Sequence, residues 1–467
     1  MTRVLSSPAV RLVCLLLLLT LIVSGCGGGG GAAQPEASPA TSPASAASPQ
    51  SEASPQPSPA ADAGQIIFLS TQFKPVEEAE RMRNVILANF AGQVEFIPED
   101  GGPFNDRIRA ETQSGRVTIS LLGGLHGDFA PFVRDQLLED LTPLVNRLSE
   151  RGFPEQFVEL SRFGTEQHYY VPWMQATYIM VANKKALEHL PEGADINALT
   201  YDQLRQWGAN LQQATGERKL GFPAGPKGLM HRFFQGYLYP SFTGSAGVVG
   251  FKTPEAVAMW NAFKDLWQYV NPRSTNYEFM QEPLLAEEVW VAWDHTARLI
   301  EALRQRPNDF VAFPAPAGPS GRGFMPVIAG LAIPKGAPNR AGAEQLIDYL
   351  TQPEQQITTL RENAFFPVID VELPQELDPG IRLEAEAVQA QSAADDALPS
   401  LLPVGLGERG GEFNKVYLDT FQQVVLNNQP AEQVLAQQAQ ILQQIMNDTG
   451  ARCWPPDPAS EGPCQVK

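Results

Sequence analysis

Thiols, imidazoles, closely spaced carboxylates and glycine-framed loops are the features of this sequence that could do chemistry. The five histidines include no pair at i, i+4 on a helix with a glutamate between them, the arrangement that sets zinc and a general base on one face. No G-x-S-x-G turn raises a serine nucleophile above a sheet, and Glu287 and Glu288 read as a solvated face. The stretch Gly405-Leu406-Gly407-Glu408-Arg409-Gly410 has the G-x-G-x-x-G spacing, yet no βαβ unit frames it to present amides to a pyrophosphate. Gly250, Lys252 and Thr253 lack the spacing of a P-loop. No carrier of catalysis is visible, so a binding protein without metal or cofactor is expected rather than an enzyme. What remains is aromatic side chains beside polar ones, and one cysteine, Cys26, placed directly behind Val23, Ser24 and Gly25.

Arg3 and Arg11 precede an apolar run of about 12 residues, shorter than the roughly 20 of a spanning helix, and the run ends in Leu21-Ile22-Val23-Ser24-Gly25-Cys26. This resembles the lipobox of bacterial lipoproteins. The resemblance implies a signal peptide over 1–25 and a diacylated Cys26. Such a chain is held by its acyl chains at the extracytoplasmic face of the bacterial cell membrane. Residues 26–64 are mostly Gly, Ala, Ser, Pro and Gln, with Ser-Pro at Ser38, Ser42, Ser48, Ser54 and Ser58. Without apolar bulk they should remain an extended, disordered tether.

The remaining length supports two domains with separate cores. The formal charge of −18 becomes −20 once the signal segment removes two arginines and no acid. An acidic body without Lys/Arg clusters is a poor partner for nucleic acid. Cys14 leaves with the signal and Cys26 carries lipid, so Cys453 and Cys464 stand alone near the end, where an oxidising exterior favours a disulfide.

Periodicity supplies the elements. An apolar strand at 66–70, helical spacing of Ala79, Met82, Ile86 and Phe90, and a strand at 94–97 make a right-handed parallel crossover. A third strand at 117–122 and a helix at 129–138 extend this into an α/β, doubly wound pattern. Ala343, Leu346, Ile347 and Leu350 line a helix that stops before Pro353. Val434, Leu435, Ile441, Leu442 and Ile445 line a carboxy-terminal helix, interrupted by Gln438.

Three segments carry a family resemblance. Residues 170–187, in which Tyr170-Val171-Pro172-Trp173 leads through an apolar strand to Asn183-Lys184, are similar to the signature of extracellular solute-binding proteins serving carbohydrate ABC importers. Ala182 stands where that family usually has tyrosine. Residues 289–298 (Val-Trp-Val-Ala-Trp-Asp-His-Thr-Ala-Arg) and Gly330-Leu331-Ala332-Ile333-Pro334-Lys335, followed by Phe365-Phe366-Pro367-Val368, resemble later stretches of the same family. The resemblance, to family 1 of these proteins (maltose-binding-protein-like), implies an α/β type II periplasmic-binding-protein fold. Two lobes, 65–171 plus 327–366 and 172–326 plus 367–450, would be joined by crossovers near 169–173, 324–329 and 365–368, with a tail at 451–467. It also implies a monomer that delivers a sugar or oligosaccharide to ABC permease subunits driven by cytoplasmic ATPases.

A sugar offers apolar C–H faces to aromatic rings and hydroxyls to planar polar groups. Open α/β sheets hold ligands on loops at strand ends. The expected contacts are therefore Gln72 and Phe73 after the first strand, His126 and Asp128 after the third, and Trp173 at the first crossover. In the second lobe they are Tyr237, the triplet Trp293, Asp294 and His295, and Arg409 in the Gly-rich loop. Asp128 could instead cap a helix, and Trp293 could be core. A polyamine, peptide or metal complex in the same fold, a sensor, and a polysaccharide-acting enzyme with paired carboxylates are the alternatives.

Overall fold

Short apolar runs buried on both faces form two separate sheets in the computed structural model, which describes residues 64–74 and 76–467. All of these belong to the unit Ala60–Lys467. The signal segment, Cys26 and the tether through Ala63 lie outside the described residues. The first sheet has the order β2-β1-β3-β10-β4, with β1 Gln65–Ser70, β2 Gln93–Pro98, β3 Leu121–Leu125, β4 Val171–Ala176 and β10 Val327–Ala332. β1 runs parallel to β2 and β3, and β10 antiparallel to β3 and β4. The second sheet, β6-β7-β5-β8, joins β5 Tyr178–Asn183, β6 Leu220–Gly221, β7 Val291–His295 and β8 Phe310–Phe313. A parallel pair, β9 Arg322–Phe324 with β11 Ala397–Pro399, lies apart from both.

Each sheet is the middle of a three-layer unit. Along β5, Tyr178, Met180 and Ala182 enter one hydrophobic cluster, and Ile179 and Val181 enter another on the opposite face. In the first sheet Ile66 and Phe68 face one cluster and Leu69 another. The helix Arg340–Leu350 buries Ala343, Leu346, Ile347 and Leu350 as its spacing predicts, and Pro353 opens the next helix. The helix Ala431–Thr449 differs in one detail: Ile441 is exposed and Gln438 buried, because the stripe runs through Val434, Leu435, Gln438, Leu442 and Ile445. Among the described residues, no helix is long and apolar enough to cross a membrane. The tail is clipped to the second unit's core: Cys453 and Cys464 are bonded, Trp454 and Cys464 are buried, and Lys467 exchanges backbone hydrogen bonds with Val249 and Lys252.

Three expected boundaries move. The third strand begins later than 117 and continues through Gly123 and Gly124. A Cβ at Gly123 would lie 2.8 Å from Ser70 Oγ, so glycine permits the close approach of β1 to β3. The following helix spans His126–Arg134, which puts His126 on its first turn. Pro172 does not begin the crossover. β4 is an edge strand that tolerates proline, and the register against β10 slips around Trp173, a bulge that leaves Ala329 opposite Met174 and Gly330 opposite Pro172. The chain therefore changes sheets at Thr177, later than residues 169–173.

Candidate functional site

Register alone locates a common meeting place for the strand ends. In the first sheet Ala329 opposes Leu125 and Val327 opposes Ala176, so the carboxyl ends of β3 and β4 lie where β10 begins. β1, parallel to β3, ends on the same side. In the second sheet Tyr178, the start of β5, opposes His295, the end of β7, and β6 runs parallel to β7. Thr177 crosses between the sheets there, Met325-Pro326 completes a second connection by leading from β9 into β10, and Phe366 bridges Gln175 as the third. Loops after β1, β3, β6 and β7 thus converge on the crossovers, the position where open α/β sheets bind ligands.

The first sheet contributes a polar strip. Asp128 Oδ2 accepts hydrogen bonds from Thr71 Oγ1 at 2.8 Å and from the Leu125 N–H at 2.9 Å, so this carboxylate caps the helix and ties the ends of β1 and β3 together. Burial pushes its pKa up, against the hydrogen bonds and the charge of Lys74. Gln72 is half-buried and donates to Thr71 Oγ1. The His126 ring stacks on Phe163 at 4.3 Å, and its Nδ1 is 3.1 Å from the Tyr170 hydroxyl. Burial lowers its pKa to about 4, so the imidazole is neutral at physiological pH.

The second sheet contributes His295, half-buried and edge-on to Tyr178. Its Nδ1 accepts the Ala297 N–H at 3.1 Å, which fixes the proton on Nε2 as a donor for a ligand. Burial, helped by the Arg298 charge, lowers its pKa to about 4. Arg232 and Arg298, both half-buried, reach the same end and received no role from the sequence. Their charges both act on the Tyr178 phenol, whose pKa burial raises to about 12. Arg298 lay inside the motif at 289–298, which was one available signal; Arg232 had none.

Six expected contacts have other work. Trp173 is fully buried against Phe68 and Phe73, because the bulge turns it into the first core rather than towards solvent. Phe73, at a left-handed φ of 57°, is buried between Trp173 and Phe365. Trp293 is core, stacked on Tyr178 at 4.9 Å. Tyr237 is buried, its hydroxyl donating to Tyr178 O at 2.8 Å and accepting from Tyr178 N–H at 3.1 Å. Asp294, wholly buried, accepts the Met280 and His295 N–H groups, and burial raises its pKa to about 8. Arg409 lies on the surface, paired with Glu412 and Asp448. It is held by ion pairs of its own.

Val404 closes one side: a Cβ on Gly127 would come within 3.3 Å of its Cγ1. Two cavities lie elsewhere. One of about 1010 Å³ runs between Phe90, Arg147 and Tyr349. One of about 580 Å³ sits beside Tyr201, Phe242 and Phe263. The larger cavity is an outer groove walled by the ion pairs Arg147–Glu344 and Arg151–Asp348, away from the converging strand ends. Among the described residues no group of three or more His, Cys, Asp or Glu is placed to hold a metal ion.

Two α/β units joined by three crossovers, with polar strand-end loops facing the joint, define a type II periplasmic-binding-protein fold. The family model for bacterial extracellular solute-binding proteins matches residues 79–357, and the chain belongs to that family. Among solved structures, the maltose-bound T. maritima MalE3 is 19% identical with a TM-score of 0.58, covering 82% of this chain and 100% of that one. The sugar-binding protein MalE from Xanthomonas citri is 15% identical with a TM-score of 0.63, covering 82% and 97%. UgpB from Mycobacterium tuberculosis, in complex with glycerophosphocholine, is 18% identical with a TM-score of 0.60, covering 82% and 99%. No curated protein sequence matches the chain.

Proposed function

We propose that this chain captures a sugar or oligosaccharide at the joint between its two sheets and delivers it to an ABC permease by hinge closure. On this reading it is a monomer held at the extracytoplasmic face of the membrane through a lipidated Cys26. The observation that carries the reading is the convergence of the β1, β3, β6 and β7 ends on the three crossovers. A solute touching both His126 and His295 stabilises the closed arrangement only when it bridges the two sheets, which lets a permease distinguish loaded from empty protein. Neutral imidazoles beside aromatic rings suit hydroxyls. Hydrolysis finds no support here, since Asp128 and Asp294 are engaged with backbone amides.

A non-sugar solute is the second reading, and the glycerophosphocholine complex of a similarly folded protein favours keeping it. A polyamine fits poorly, because it would meet the guanidinium groups of Arg232 and Arg298. A thermal-shift panel of mono- and oligosaccharides, polyamines and peptides on the full chain in detergent tests this. A saccharide at about 100 times its Kd should add about 2.7 kcal/mol of stability. A shift with a polyamine or peptide and none with any saccharide would refute the carbohydrate reading.

A further inference from the structure

At the strand-end site two cations have no ion-pair partner among the described residues, in a protein of net charge −18. Elsewhere the arginines of this chain commonly sit against acids: Arg306 touches Glu287 and Asp309, Arg340 touches Glu139 and Glu344, and buried Arg322 reaches Asp396. Arg232 differs, with Nη1 donating to the neutral Gln235 side chain at 3.0 Å. Arg298 donates through Nη1 to the Lys227 and Glu278 carbonyls, and its guanidinium lies 4.5 Å from the Phe279 ring centroid. The Nε and Nη2 groups of both have no partner among the described residues.

The two are brought to one place by the chain: Arg298 Nη1 holds the Lys227 carbonyl, in the loop that leads directly into the short helix Met230–Phe233 carrying Arg232, and both charges act on Tyr178 and His231. Among the described residues neither guanidinium forms an ion pair with the nearby acids Glu278, Glu282 or Asp294. Asp294 is protonated near neutrality by burial, and Glu282 is felt at Asp294. His231 and His295 are neutral, so they neither add to nor oppose the field. Burial also lowers the pKa of Arg232, the direction expected of a cation taken from water without compensation. Taking a charge from water is costly unless a partner with good geometry replaces the hydration, and the planar guanidinium fork fits the two oxygens of a carboxylate or phosphoryl group.

Resting on the reading of the strand-end joint as the solute site, we propose that the solute is an anionic sugar or polyol whose phosphoryl or carboxylate group is held by Arg232 and Arg298. The hydroxyls of such a solute would face His295 on the same sheet and His126 on the other.

Calorimetric titration of the full chain in detergent with matched pairs tests this: glucose against glucose 6-phosphate, galactose against galacturonate, and glycerol against glycerol 3-phosphate. The expected result is that a charged member binds at least about tenfold more tightly than its neutral partner, the ratio 1.4 kcal/mol gives. The pairs that respond separate phosphoryl from carboxylate recognition. Arg298→Gln and Arg232→Gln should each shrink that ratio towards one, and Arg232→Lys should retain part of it. Equal or tighter binding of the neutral members overturns the proposal, and needs only the unsubstituted protein. Binding of a neutral oligosaccharide with no response to any charged member overturns it while leaving the sugar-binding reading intact. Silence across every saccharide, charged or neutral, overturns both.

Discussion

Tyr237 shows how a single hydroxyl can hold a crossover in place. Its oxygen serves both the carbonyl and the N–H of Tyr178, the first residue of the second sheet, and lies 3.1 Å from Thr177 Oγ1 at the change of sheets. Tyr237→Phe leaves the Tyr178 N–H buried without a partner and should cost about 1–3 kcal/mol in urea denaturation. An unchanged midpoint would show that the hydroxyl is dispensable. Asp294 gives a pH signature. Its pKa rises from 3.8 to about 8, so the folded chain keeps a proton that the unfolded chain has lost. Its contribution is therefore complete below about 4 and declines as pH rises towards 8, by up to about 1.4 kcal/mol per pH unit. His126 and His295, lowered from 6.5 to about 4, act with the opposite sign, stability rising between those values. Above pH 6.5 the histidines are neutral in both states. Asp294→Asn should therefore make the decline in stability between pH 6.5 and 8 shallower, and equal slopes would contradict the assignment. At this scale the sequence revealed residue types better than roles. Tryptophan, tyrosine and aspartate near strand ends are as useful to a core as to a ligand, and only packing separates the two uses, as Trp173, Trp293, Tyr237 and Asp294 show. Arg232 was hidden because an arginine's lack of an acidic partner is a property of three dimensions.

Among the elements, β10 carries the strictest steric demand. A Cβ at Gly330 would lie 2.3 Å from the Tyr170 ring, beside the register slip that accommodates Pro172 and Trp173. Gly330→Ala should cost about 1–3 kcal/mol by overpacking, read as a lowered melting temperature. A change below about 0.5 kcal/mol would mean that the ring yields. The parallel strands β1 and β2 and the helix Arg340–Leu350 were legible because their apolar residues follow one period without interruption. β3 was misplaced because Gly123 and Gly124 give no hydrophobic signal, although they allow the tight approach to β1. The resemblance put the first crossover near 169–173, whereas here Pro172 and Trp173 lie within an edge strand of the first sheet and the chain leaves that sheet at Thr177.

For the whole molecule, two sheets joined by three crossovers are the arrangement that the proposed hinge closure requires. The architecture was legible because motif order along the chain reports the pairing of distant segments, here β10 with β3 and β4. The identity of the solute was not, because specificity rests on a few side chains that different segments bring together. The central claim is that one solute is held from both sheets at once. Its most direct test is calorimetry of the saccharide that raises the melting temperature, titrated into the unsubstituted chain, His126→Ala and His295→Ala. Each substitution should weaken binding about tenfold or more, although the two residues belong to different sheets. Full affinity in either variant would mean that the solute rests on one half alone, and would contradict the account.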